Sequence, residues 1–83
     1  MRQYSNLSNE QIAKTFGRTL QKIRLEKGLT QHDLEDNSGI SLRMISDMER
    51  GIRQPSLTTL FKISKGLGIK INELISQLLK ELS

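Results

Sequence analysis

Arg43 and Asp47 stand four residues apart in the run Leu42-Arg43-Met44-Ile45-Ser46-Asp47. On a helix that spacing puts both side chains on one face, where they can restrain each other or each bond outward. Outward, the guanidinium fork matches two coplanar acceptors such as guanine O6 and N7. The carboxylate can accept from an amino group such as cytosine N4. Bond-making chemistry has no comparable support. His32 is the only histidine, and the Ser and Asp residues cannot form a nucleophile–base–orienter set without a second histidine or a suitable lysine pocket. Cysteine is absent and His32 has no companion ligand, so a metal site is not expected. No glycine-rich phosphate loop occurs. The chemistry that remains is recognition. It needs no cofactor, and no small-molecule substrate is evident.

The elements that must position these groups read as helices throughout, and no stretch alternates like a strand. Ser8-Asn9-Glu10-Gln11 is a capping box. It opens a first helix whose stripe is Ile12, Phe16, Leu20 and Ile23, with Gly28 as its stop and Lys27 favouring the negative end of its dipole. Thr30 caps a short second helix, with Asp33 at its third position and Leu34 facing inward, and Asn37-Ser38-Gly39 breaks it. Ser41 caps a third helix carrying Ile45 and Met48, which ends near Gly51. Pro55-Ser56 opens a fourth helix with the stripe Leu57, Leu60, Ile63 and Leu67, stopped by Gly68. Asn72 is expected to cap a fifth helix, about residues 72–82. Five helices with short connections, and no internal repeat or linker, make one all-α domain over residues 1–83.

Length and charge narrow the partners. A chain of 83 residues buries a modest core, so oligomerisation is a natural source of further buried apolar surface. The formal charge is +4, with a pI near 9.8. Residues 14 to 27 carry Lys14, Arg18, Lys22, Arg24 and Lys27 against Glu26 alone, and residues 43 to 70 carry six positive side chains against Asp47 and Glu49. A polyanion could meet these two segments if they share a face; otherwise they are ordinary solvated helix surface. No apolar run approaches the roughly 18 residues of a membrane span, and the polar start, MRQYSNLSNEQ, lacks the apolar region of a signal peptide. A membrane partner is therefore not expected, and a cytoplasmic location is.

Thr30 to Gly51 holds two short capped helices around a turn containing Gly39, the layout of a helix-turn-helix. Leu34, Ile40, Ile45 and Met48 can close a small core between them, which leaves Leu42, Arg43, Ser46, Asp47 and Arg50 pointing outward. The series Gly28-Leu29-Thr30-Gln31, Gly39-Ile40-Ser41, Ile45-Ser46, Glu49-Arg50-Gly51, Pro55-Ser56 and Thr59-Leu60 resembles the Cro and lambda-repressor-like helix-turn-helix regulators over roughly residues 12 to 75. Within that family the small size and the segment FGRTLQKIRLEKG are similar to controller proteins of restriction–modification systems. The resemblance implies a compact five-helix lambda-repressor-like domain that binds double-stranded DNA. It implies that Gln31 touches the DNA backbone, that Leu42, Arg43 and Asp47 meet base edges with Ser41 and Met44 bordering them, and that Arg53 lies near phosphate. The helix N-terminus at Ser56 can offer N–H groups to phosphate. The resemblance also implies an internal ion pair between Arg24 and Glu49. Where the family usually has alanine this chain has Glu35, so either its carboxylate tilts to solvent or the two helices splay.

The fifth helix is more apolar than closing a core requires. Ile71 and Leu74 can serve the core. Ile75, Leu79 and Leu82, with Phe61, then remain for a second contact, most simply a twofold mate. The expected protein is a sequence-specific transcriptional regulator acting as a homodimer on a pseudo-palindromic operator. The alternative is a protein-interaction module, such as an antitoxin or adaptor, using the same helix.

Overall fold

The computed structural model describes residues 6–83; Met1 to Ser5, the start of the polar N-terminal run, lie outside the described residues. Helix α1 spans Asn9–Glu26. The Ser8 hydroxyl accepts from the Gln11 backbone N–H at 3.0 Å and the Gln11 side chain accepts from the Ser8 N–H at 2.8 Å, the reciprocal box expected from sequence. Helix α2 spans Gln31–Ser38 and opens on a second box, between Thr30 and Asp33. It ends at Gly39, whose φ of +78° turns the chain sharply towards the third helix without a Cβ penalty. Helix α3 spans Leu42–Glu49, capped by Ser41, and α4 spans Leu57–Leu67, capped by Ser56.

Helix α5 spans Ile71–Leu82 and starts earlier than expected. Asn72 is not its cap. Lys70 holds the extended N-cap position, with no side-chain cap bond, and Asn72 lies exposed in the first turn. Starting at Ile71 leaves that residue half-buried, one turn before fully buried Leu74. Partial burial of an isoleucine offsets part of a missing cap, which is typically worth about 1 kcal/mol.

The five helices close on one core of Phe16, Leu20, Ile23, Leu34, Ile40, Ile45, Met48, Ile63, Leu67 and Leu74. Helix α1 packs on α3 and α5, and α2 packs on α4. Two glycines inside helices set the closest approaches. A Cβ on Gly17 would overlap the Met48 carbonyl oxygen and come within 2.8 Å of the Glu49 carbonyl oxygen. A Cβ on Gly66 would stand 2.7 Å from Leu34 Cδ1 and 2.8 Å from Ser38 Cβ. Each helix-interior glycine costs backbone entropy, and the tight crossing offsets that cost.

Leu57 corrects the expected stripe of α4. It is 68% exposed, while Ile63 and Leu67 are buried and Leu60 is half-buried. At 100° per residue Leu57 falls at the edge of that stripe and lines up with Phe61, one turn on. As the first residue of α4 it overhangs the core instead of entering it.

Candidate nucleic-acid interface

Helix α3 is held from beneath by Ile45 and Met48, both fully buried. Its remaining face carries Leu42, Arg43, Ser46, Asp47 and Arg50, with Arg43 and Arg50 exposed and the others half-buried. The Ser41 hydroxyl accepts from the Met44 N–H at 3.2 Å, and half-buried Met44 packs against the core edge. Asp47 does not restrain Arg43. Its Oδ1 accepts from Arg50 Nη2 at 2.6 Å, three residues on. Both i,i+3 and i,i+4 partners were in reach, and the pair forms toward the helix C-terminus, where the cation of Arg50 meets the negative end of the dipole. Arg43 makes no ion pair with any described residue, so its five donors face solvent.

The internal ion pair expected between Arg24 and Glu49 is present. Arg24 Nε donates to Glu49 Oε2 at 2.6 Å and Nη2 donates to Oε1 at 3.0 Å, with only 8% and 3% of the two side chains exposed. The Glu49 hydrogen bond raises the Arg24 pKa above its ordinary value, against the opposing effect of burial. Arg24 Nη1 also donates to the Leu29 carbonyl at 2.7 Å, and Gln31 Nε2 donates to Glu49 Oε1 at 3.1 Å. The buried carboxylate thus ties α1 and the start of α2 to the end of α3, and the guanidinium paired with it holds the α1–α2 turn. Gln31 spends its side-chain amide on this brace. As the first residue of α2 it still offers a backbone N–H with no intrahelical partner.

Arg53 is exposed on the α3–α4 connection, and Ser56 accepts from the Thr59 N–H at 3.1 Å as the α4 cap. No side-chain hydrogen bond or ion pair among the described residues joins Arg53 or Ser56 to α3. The stripe Lys14, Arg18, Lys22 behaves as solvated surface. Lys14 pairs with Glu10 at 2.9 Å, lowering the Glu10 pKa, Arg18 donates to Thr15 Oγ1, and Lys22 reaches Glu81 on α5 at 3.2 Å.

Glu35 is not a free carboxylate tilted out to solvent. Half-buried, its Oε2 accepts from the Leu42 backbone N–H at 2.8 Å, and its Oε1 lies 3.8 Å from Nδ1 of exposed His32. Sequence reasoning marked the position as unusual without finding this partner seven residues away.

On α4 and α5, Phe61 is 54% and Leu79 39% exposed, and Ile75 and Leu82 are half-buried. Leu82 leans toward α1, beside Leu7, Gln11 and Arg18. Leu57, misplaced in the core by its spacing, is exposed one turn before Phe61 on α4.

The helix-turn-helix family model matches residues 20–74, and the chain belongs to that family. It is 40% identical over 65 residues to the HTH-type transcriptional regulator y4dJ of Sinorhizobium fredii, covering 78% of this chain and 84% of that protein. It is 42% identical over 67 residues to the control protein C.MunI of a Mycoplasma species, covering 80% and 90%. Among solved structures it is similar to the restriction–modification controller protein C.Esp1396I, crystallised as a tetramer with its natural 35 base-pair operator. The TM-score is 0.81 at 35% identity, covering 86% of this chain and 93% of that one. Two longer regulators that it also matches are covered over 48% and 38% of their length. No described helix is long and apolar enough to cross a membrane.

Proposed function

We propose that this chain is a sequence-specific DNA-binding transcriptional regulator. It acts as a homodimer on a pseudo-palindromic operator, in the cytoplasm, with neither catalytic activity nor a cofactor. The observation that carries this reading is α3 itself: a capped helix fixed to the core by Ile45 and Met48, presenting the unpaired Arg43 guanidinium outward. Such a fork can donate bidentately to a guanine edge in the major groove. Gln31, Arg53 and the N-terminus at Ser56 supply phosphate contacts that set register, and Leu42, Ser41, Met44 and Asp47 complete the face near the bases. Asp47, already bonded to Arg50, acts through that pair as well as through any base it meets.

The single domain divides its work. The helix-turn-helix, about residues 30–51, reads DNA, and α5 with Phe61, Ile75, Leu79 and Leu82 joins two copies. Leu57 extends this surface. The operator complex of C.Esp1396I and the regulator names of the relatives favour this reading over a protein-interaction module. Anisotropy titrations with a selected duplex and a random one, repeated across salt concentrations, test it. Log affinity should fall linearly with log salt as phosphate contacts release counterions, and the selected duplex should bind more tightly throughout. Equal affinity for both duplexes would contradict it.

A further inference from the structure

The Glu35 side chain reaches from α2 across the turn to the start of α3. Its Oε2 accepts from the backbone N–H of Leu42, the first residue of α3, at 2.8 Å. That N–H is among the four at a helix start that lack an intrahelical acceptor. Ser41 already satisfies the Met44 N–H. The start of α3 is thus fixed at two points, one by its own cap and one by a side chain of the preceding helix.

We infer that Glu35 is a positioning residue for base reading: its carboxylate moors the first turn of α3 to α2 and so sets where Leu42 and Arg43 point. This rests on the reading of α3 as the base-contacting helix. Ile45 and Met48 pack the helix on the core and Glu49 braces its C-terminal end, which leaves fraying of its first turn as the soft motion. Arg43 lies one residue beyond the moored amide, in that first turn. A bidentate contact tolerates little angular error, so the mooring acts on discrimination between bases more than on attraction to phosphate.

Three substitutions separate reach from charge. Glu35→Gln keeps an oxygen at the same reach and removes the charge. Glu35→Asp keeps the charge and is one methylene too short. Glu35→Ala loses both. The measured quantity is the ratio of affinities for the preferred duplex and for one altered at the base pair assigned to Arg43. Amide exchange at Leu42 and the thermal midpoint are followed alongside. The inference predicts that Glu35→Ala and Glu35→Asp lower the ratio by on the order of fivefold and speed exchange at Leu42, while affinity for random duplex changes little. Glu35→Gln should keep the ratio within about twofold of the wild type. The role is overturned if Glu35→Asp matches the wild type while Glu35→Gln does not, since charge alone would then matter. It is overturned equally if Leu42 exchange quickens with the ratio unchanged, which is the outcome for a purely structural cap. A wild type without any preferred duplex would instead sink the base-reading assignment, and the positioning role with it.

Discussion

Arg43 and Arg24 are both arginines of a basic chain, yet their surroundings assign them opposite work. Arg24 is buried against Glu49 with both carboxylate oxygens engaged, so it fixes helices. Arg43 is exposed and unpaired among the described residues, so its donors are available to a partner. Arg43→Ala should relax preference at one base pair per half-site and cost about 1–3 kcal/mol on the best site. Arg53→Ala should weaken binding to all sequences more evenly, while Gln31→Ala, which keeps the backbone N–H at the start of α2, should weaken it less, and parallel titrations on matched and altered duplexes distinguish these patterns. Glu49→Ala should behave differently from all three. It strands the Arg24 charge in the core and removes the Gln31 acceptor, and losing one partner of a buried pair costs about 3–5 kcal/mol. Denaturant unfolding should register that loss before any DNA is added.

The caps, the turn and the inward stripes were legible in the sequence because each depends on residues within one helical turn. Ser8 with Gln11, Thr30 with Asp33, Ser41 and Ser56 all cap where local chemistry places them. What failed depended on neighbours outside that range. Asn72 lost the cap of α5 to the burial of Ile71, Leu57 overhung a core whose edge the spacing alone could not locate, and Glu35 found its partner across a turn. Gly17 has no local signal of its role, because the Met48 and Glu49 carbonyls that crowd it belong to α3. Gly17→Ala should therefore push α1 from α3, destabilising the fold by about 1–3 kcal/mol, an overpacking cost that thermal unfolding would register. The second capping box carries a pH signature. Hydrogen bonds from Thr30 hold the Asp33 pKa below its usual value. The stabilisation is therefore complete above the ordinary carboxylate value near 4 and is lost as pH falls through the depressed folded value. A series of thermal midpoints from neutral to acid pH should show Asp33→Asn with a shallower acid decline than the wild type.

At the scale of the whole molecule, one short recognition helix touches too few base pairs to single out a site against a genome's excess of other sequence. Two copies related by a dyad extend the readout, and a twofold contact is self-complementary and closes without propagating. The surface proposed for that contact is drawn from α4 and α5, where Leu57, Phe61 and Leu79 are exposed and Ile75 is half-buried. Replacing Ile75 and Leu79 together by aspartate would bury unpaired charge in the interface and should give a folded monomer. Sedimentation should then report a single chain, with circular dichroism unchanged and operator affinity collapsed. A double variant that stays dimeric would remove this surface from consideration.

Selection of bound duplexes from a random DNA pool by the wild-type chain tests the central claim most directly. A dimer presenting two copies of α3 should enrich an inverted repeat whose half-sites lie about 34 Å, or one helical turn, apart centre to centre. A pool that emerges unenriched, or one enriched in a single asymmetric site with no inverted partner, would contradict the account.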